Sequence, residues 1–444
     1  MVAAGEVRAE AAPRAVRADL PGGARILVVR DPTRSVVSAR AVWPGGMRLE
    51  RAATAGLTRL MTESWTAGCG KRGAAEVASA LERTEGAMWG VAGRDAVELA
   101  TEWPLSSWPD GLELLADCAR APRFAAAAVD RARRRLLIER AAREKSAEER
   151  SWQLMVATLH GDGAYGADPL GTAASLEAID RAVVAAHFRD AYGSGGMALA
   201  VVGDVSPDEV IERARAAFDR AGPSAGGPVA APRSAARPAA GERQVFGFLP
   251  GEVSAIAVGF PGVPVSHADR AGLDLLAEVL ASRLGAKLRL ERRLVHRVGA
   301  MSIEGAEGGF LAVAIACRAD RTAAAVAALR AEIDSLRAAG PSADELVRAV
   351  RALRQRDRDR ARSLAEGRLA SDLATDEALA TAAATSRRRA ALGRVRLADL
   401  AGLAARTLAW DAAVVASVMP PRASPEAARR ARGSVRRAVK RRRR

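Results

Sequence analysis

The feature that most constrains the fold of this chain is an internal duplication. Ser38-Ala39-Arg40-Ala41-Val42 recurs 216 residues later as Ser254-Ala255-Ile256-Ala257-Val258. Trp43-Pro44-Gly45 recurs one residue further on as Phe260-Pro261-Gly262, and Ala55-Gly56-Leu57 recurs as Ala271-Gly272-Leu273. Near the end of each copy, Val201-Val202-Gly203-Asp204-Val205-Ser206-Pro207 matches Val414-Val415-Ala416-Ser417-Val418-Met419-Pro420 at an offset of 213. Short Ala/Val matches arise by chance in such a composition, but four in one order at nearly one offset do not. Self-similarity of this kind marks repeated folding units, here two of about 200 residues each.

Local patterning gives each unit its class. In the first copy, Val- and Ile-rich strands are expected over 25–30, 36–42, 87–92, 96–102 and 197–202. Helical periodicity is expected over 55–65, 74–81, 106–119, 126–144, 148–159, 181–192 and 207–221. Strands and helices mixed along one span indicate an α/β or α+β unit. Between the copies, residues 222–241 are dense in Gly, Pro, Ala and Ser and read as a linker. The expected division is thus 1–221, a linker over 222–241, 242–420, and a basic tail over 421–444. Two such domains predict a clamp around a central space, with ligands at the domain interface.

Charge and composition narrow the function. Lys and Arg number 68 and Asp and Glu 52, a net charge of +16. From Pro421 to Arg444 there are 11 basic residues and one Glu, or +10, so the remaining body carries 16 − 10 = +6. A nucleic acid or an anionic membrane surface is therefore a partner only for the tail, which is expected to be disordered. Cys69, Cys118 and Cys317 form no CxxC pair and no disulfide ladder, which is compatible with a reducing compartment. No apolar run is long enough to span a membrane and no secretory signal is visible. A cytoplasmic location is the expectation, with the periplasm left open. There are only four histidines: His160, His187, His267 and His296. No two are four residues apart, and none precedes residue 160.

The order of several short motifs resembles the pitrilysin/insulinase-type zinc peptidases, in particular the two-domain branch that includes the mitochondrial processing peptidase subunits. Gly45-Gly46-Met47-Arg48-Leu49-Glu50 resembles the family's Gly-Ser-Arg-x-Glu turn. Gly56-Leu57-Thr58-Arg59-Leu60 resembles the start of its active-site helix, and Ala121-Pro122-Arg123-Phe124 its xPxF segment. Tyr165-Gly166 followed by Pro169-Leu170-Gly171-Thr172 resembles a YGxPxxGT loop, and Val201–Val205 its closing strand. Ser282-Arg283-Leu284 with Leu288-Arg289 resembles the second-domain helix. The resemblance implies an α+β fold: two homologous domains, each a mostly antiparallel sheet with packed helices in a ferredoxin-related sandwich, closed as a clamp.

The resemblance also implies where zinc chemistry would sit. The inverted motif His-x-x-Glu-His places two ligands on one helix face and a base between them, and a distant helix adds a carboxylate. Carried onto this chain, the first His falls on Arg59, the Glu on Thr62 and the second His on Glu63. The distal ligand falls on Arg140, and an assisting acidic position on Arg133. All five depart from the pattern, so no metal, no cofactor and no catalytic residue are expected. An Arg59–Glu63 pair could replace the metal as a cross-link within the helix.

In heterodimeric members of this family the metal-free subunit contributes an Arg and a Tyr, seven residues apart, that hold the substrate backbone. The alignment places the Arg on Arg289 and the Tyr on His296. Histidine can still donate one hydrogen bond, and arginine several. The resemblance therefore implies a catalytically inactive subunit, paired with a zinc-bearing paralogue, that helps enclose and bind a peptide. The alternatives are a scaffolding subunit of the same fold or, less favoured, an autonomous peptidase with a non-standard site.

Overall fold

The structure, a computed structural model, describes residues 15–161, 163, 165–193, 196–221, 241–363, 367–381 and 384–421, with only the backbone described over 360–363. All of the expected linker except Gly241, and all of the expected tail except Pro421, lie outside the described residues.

The duplication is carried by two sheets of matching topology. The first contains β1 (Val16–Leu20), β2 (Ala24–Arg30), β3 (Val36–Pro44), β4 (Ala87–Ala92), β5 (Ala96–Pro104) and β6 (Ala198–Gly203), in the order β1-β2-β6-β3-β5-β4. The second contains β7 (Arg243–Phe248), β8 (Val253–Pro261), β9 (Arg297–Glu304), β10 (Gly309–Arg318) and β11 (Val414–Met419), in the order β7-β11-β8-β10-β9. From β2 and β7 onward the two orders are the same. The pairs β2·β6 and β7·β11 are parallel, and every other pairing is antiparallel. The repeated segments at Ser38 and Ser254 lie in the equivalent central strands β3 and β8, and Trp43 and Phe260 are both buried. The chain is a two-domain α+β protein.

Among the described residues, fourteen α-helices pack on and around these sheets. The first half supplies α1 (Leu57–Ser64), α2 (Ala74–Arg83), α3 (Trp108–Arg120), α4 (Ala126–Glu144), α5 (Ala147–His160), α6 (Ala173–Ala178), α7 (Arg181–Tyr192) and α8 (Pro207–Arg220). The second supplies α9 (Arg270–Leu284), α10 (Thr322–Ala339), α11 (Ala343–Ser363), α12 (Arg368–Ala378), α13 (Ala384–Ala391) and α14 (Leu397–Thr407). Strands β3 and β8 are buried over nearly their whole length. Apart from Ser38, Ser254 and the ion-paired Arg40, they therefore read as apolar runs rather than alternating ones, because both faces need cover.

Each half covers the second face of the other's sheet. Met155, Val156 and Leu159 of α5 pack on Ala257, Phe310, Ala312, Val414 and Ala416 of the second sheet. A Cβ on Gly259 would stand 2.3 Å from the sulfur of Met155, so glycine is what lets the helix settle there. Reciprocally, Leu369, Ala370, Leu373 and Ala374 of α12 pack on Leu27, Val29, Val42, Ala200 and Val202 of the first sheet. Separating the halves would expose both apolar patches, which fixes their relation through burial.

One expectation is corrected. Cys69 and Cys118, 49 residues apart, are joined in a disulfide with a Cα–Cα distance of 4.6 Å, while Cys317 is free and buried. The bond ties the segment after α1 to the end of α3, where the Trp65 indole also donates to the Cys118 carbonyl at 2.9 Å. Among the described residues no helix is long and apolar enough to cross a membrane.

Candidate functional site

The centre of interest is the meeting of α1 with α4. The loop before α1 prepares it. Gly45 and Gly46 have φ of +125° and +61°, and a Cβ on Gly46 would stand 2.4 Å from the Gly93 carbonyl. The tight turn aims two charged side chains in different directions. Glu50, 3% exposed, accepts from the backbone N–H groups of Gly56 (2.9 Å) and Thr58 (2.7 Å). It thus satisfies free donors at the N-terminus of α1 and complements the helix dipole. Burial raises its pKa, against the pull of those hydrogen bonds.

Arg48, also buried, leaves the turn the other way. It bonds Asp95 at 3.0 Å and reaches Glu307 in the second half. Asp95 also accepts from the Tyr165 hydroxyl at 2.6 Å and from the Ala306 N–H at 3.1 Å, and the Glu307 N–H donates to that hydroxyl at 3.2 Å. Arg48, Asp95 and Tyr165 come from the first half, and Ala306 and Glu307 from the second. Sequence reasoning singled out the turn and the Tyr165 loop as motifs but did not see that they meet. Nothing in their spacing, 117 residues, signals it.

On α1 itself, Arg59 takes the central place. Its Nη2 lies 3.1 Å from Glu63 Oε1, one helical turn on, and 3.1 Å from Glu139 Oε2 on α4. Arg135 Nε stands 3.9 Å from the other Glu63 oxygen. The Thr62 hydroxyl is buried and donates back to the Arg59 carbonyl at 3.2 Å. Helix α1 approaches β4 closely enough that a Cβ on Gly90 would stand 2.3 Å from the Thr62 carbonyl.

The α4 side chain that meets α1 is Glu139 rather than Arg140. Arg140 points to the Gly171 carbonyl, to Glu144 at 2.6 Å and to Asp168 at 3.6 Å. Arg133 is likewise turned away, donating to the carbonyls of Leu176 (2.9 Å) and Ile179 (2.5 Å) and pairing with Asp130. One step along a helix rotates a side chain by about 100°, so a one-residue shift in reading α4 moves the facing residue from an arginine to a carboxylate.

Arg289 and His296 lie in the second half. Arg289 is exposed on the wide helical turn Gly285–Glu291 that extends α9. His296 is exposed just before β9, its backbone N–H bonded to Ala316 at 3.0 Å. Among the described residues neither side chain has a hydrogen-bonding or ionic partner. Their neighbours are engaged: Arg283 forms a two-point pair with Glu345 (2.8 and 2.7 Å), and Lys287 pairs with Glu291.

Two of the four histidines are structural. His160 packs edge-on to Tyr165 and Phe310, and its pKa falls to about 4 through burial, helped by Arg94 and Arg243. His187 packs against Tyr192 and is also lowered to about 4, by burial.

Residues 25–172 match the model of the insulinase family (peptidase family M16), and residues 178–353 match that of the peptidase M16 inactive domain. The chain belongs to the insulinase family. A Streptomyces coelicolor protein named as an uncharacterized zinc protease is 28% identical over 350 residues, covering 75% of this chain and 74% of its own. The fold is similar to a peptidase M16 inactive domain from Pseudomonas fluorescens, with a TM-score of 0.81 at 18% identity, covering 92% of this chain and 98% of that one. It is also similar to a protease from Helicobacter pylori, with a TM-score of 0.84 at 15% identity, covering 92% and 100%.

The family's zinc does not fit the residues present here. Zinc takes three or four N, S or O donors. At α1 and α4 this chain offers two carboxylates with a guanidinium already between them, and arginine has no acceptor lone pair to give. Thr62, at the position of the base, is a hydroxyl committed to its own helix. Among the described residues no three His, Cys, Asp or Glu side chains come together as a metal group.

Proposed function

We propose that this insulinase-family chain is a catalytically inactive subunit that pairs with a zinc-bearing paralogue and helps enclose and hold a peptide. The observation that carries this reading is the Arg59 guanidinium between Glu63 and Glu139. It supplies the positive charge that two facing carboxylates need, and it holds α1 against α4 without a metal. The architecture of the active family is thereby kept while its chemistry is lost.

Two features support peptide handling. Strand β4 is the outer strand of the first sheet and runs beside α1, with Trp89 and Val91 exposed. A free strand edge can accept an extended peptide as an added strand. Arg289 and His296, exposed and without a side-chain partner among the described residues, are the side chains to which substrate holding is assigned; the guanidinium suits carbonyls and carboxylates alike.

A second reading, scaffolding on the same fold, is favoured by the Arg48–Asp95–Tyr165–Glu307 cluster, which fastens the halves together. Peptide cleavage by the purified chain, by its nearest zinc-bearing paralogue and by the mixture separates the two. The partner reading expects a silent chain, a weak paralogue and an active mixture, with the gain lost on Arg289→Ala. Equal cleavage with and without this chain overturns it and leaves scaffolding.

A further inference from the structure

Between the end of α4, α5, the loop at 166–169 and the β4–β5 turn lies a cavity of 310 Å³ whose charged lining is Arg94, Arg140, Arg143 and Arg150 against only Glu144 and Asp168, or 4 − 2 = +2. The two carboxylates are already spent. Glu144 pairs with Arg140 at 2.6 Å, and Asp168 lies between Arg140 (3.6 Å) and Arg143 (3.1 Å). Among the described residues neither Arg94 nor Arg150 forms a direct ion pair with a carboxylate, although the charge of Asp95 acts on Arg94.

Arg94 is the telling group. It sits in the β4–β5 turn, which the strand-to-helix loop grips through three backbone hydrogen bonds: Gly45 N to Asp95 O, Met47 N to Gly93 O and Arg48 N to Arg94 O, at 2.7–3.0 Å. Its guanidinium gives one hydrogen bond, to the Tyr165 carbonyl at 3.1 Å, and stands 6.0 and 5.9 Å from the ring centroids of Tyr165 and Phe310. The adjacent Asp95 is committed to Arg48, Tyr165 and Ala306. Burial lowers the Arg94 pKa, against the pull of the Asp95 charge. A largely buried guanidinium without a direct ion pair is costly; the charge of Asp95 offsets part of that cost, and an entering anion recovers more.

We propose that this cavity, with Arg94 at its inner wall and Arg150 at its rim, binds a carboxylate of a peptide, either a C-terminus or an acidic side chain. The remaining walls suit a peptide better than a bare ion. Trp152, Leu154, Val156 and Pro169 are apolar, and Gln153 has an amide with no partner among the described residues. The choice of a peptide as carrier rests on the peptide-handling reading above; the oxyanion site itself does not.

The test is calorimetric titration of the purified chain alone, at low salt, with three N-acetylated Leu-rich tripeptides: a free acid, its neutral amide, and an amide carrying an internal Glu. The free acid, the Glu peptide or both are expected to bind, with the neutral amide about tenfold weaker or worse, as for loss of a charge-assisted hydrogen bond. Which of the two binds names the source. Arg94→Gln should weaken binding by about tenfold and Arg150→Gln by a smaller factor, and added salt should weaken the wild type. Arg150 is exposed and has no hydrogen-bonding or ionic side-chain partner among the described residues, so its variant keeps the test decisive should Arg94→Gln not fold. Equal binding of the neutral amide, unchanged binding in both variants, or inorganic phosphate binding more tightly than any of the peptides would overturn the proposal. No paralogue is present, so a failure here is separable from a failure of the partner reading.

Discussion

Arg59 on α1 and Glu139 on α4, 80 residues apart in sequence, meet at 3.1 Å. The same guanidinium nitrogen holds Glu63 at the same distance. Two positions that the family resemblance assigned to chemistry, Arg59 and Glu63, thus form one ion cluster with Glu139, the neighbour of a third. Each pair is partly exposed, so each contributes modestly, about 0.2–1 kcal/mol. The arrangement is informative because it leaves two carboxylates poised around one cation.

That geometry predicts a gain of function in metal binding. Arg59→His would set one imidazole and two carboxylates around the vacated centre, three donors of the kinds zinc and cobalt accept. About one equivalent of Co²⁺ should bind to Arg59→His, seen by visible absorbance and displaced by Zn²⁺. The wild type should bind none there. Stoichiometric zinc in the wild type would mean that a different ligand set is in use.

Removing the cation without a replacement has the opposite effect. Arg59→Met leaves Glu63 and Glu139 facing each other. The expected loss is about 1–2 kcal/mol, two weak pairs plus like-charge repulsion, read by urea denaturation at neutral pH. Adding Glu139→Gln should recover most of it. If the double variant is as unstable as the single one, the loss comes from the Arg59 stem and not from charge.

Part of this was legible in the sequence, and the limits have physical causes. The duplication could be read because equivalent strands β3 and β8 face the same demand for apolar cover on both sides. The loss of the histidine ligands was visible at once, since no His precedes residue 160. The facing residue on α4 was not, because the run Leu136-Leu137-Ile138 blurs the stripe of Val129, Ala132 and Leu136, Ile138 being exposed, and Glu139 and Arg140 both lie within one turn of Leu136. The Cys69–Cys118 pair has no local signature at a separation of 49. The exchange of α5 and α12 between sheets was also hidden, because an amphipathic helix encodes an apolar face but not which sheet it will cover.

The junction between the halves should behave as one unit. Arg48 is buried between Asp95 and Glu307, so Arg48→Ala leaves Asp95 buried without its cation. Breaking a buried pair from one side costs about 3–5 kcal/mol. Tyr165→Phe removes one hydrogen bond to Asp95 and should cost about 1–2 kcal/mol. Scanning calorimetry checks both: one transition in the wild type, and a lower, broader or split transition in Arg48→Ala. An unchanged melting profile in Arg48→Ala would show that the exchanged helices alone hold the halves together.

The disulfide gives a chemical test of the fold around α1. Closing a 49-residue loop stabilises the native state by about 4 kcal/mol in the chain-entropy account. Under denaturing, non-reducing conditions an alkylating reagent should label Cys317 alone, and all three cysteines after reduction. Reduced protein should unfold at lower urea with little change in the slope of the transition. Labelling of three cysteines without reductant would show the bond absent from the protein as purified.

The buried histidines set the response to acid. His160 and His187 have folded pKa values of about 4 against a usual 6.5. Both are neutral in the folded state and take up protons on unfolding between those values. Their contribution to stability is therefore complete above pH 6.5 and is lost as pH falls toward 4. For His160 the chief cause is burial between Tyr165 and Phe310, and the positive charges of Arg94 and Arg243 act in the same direction. His160→Gln should be less stable than the wild type at neutral pH, because it loses the edge-on ring contacts. The gap should narrow as pH drops through 6 and 5, since only the wild type bears the growing cost of a buried imidazole. A gap that stays constant in denaturation curves across that range would mean that His160 is protonated, or solvated, in the folded protein.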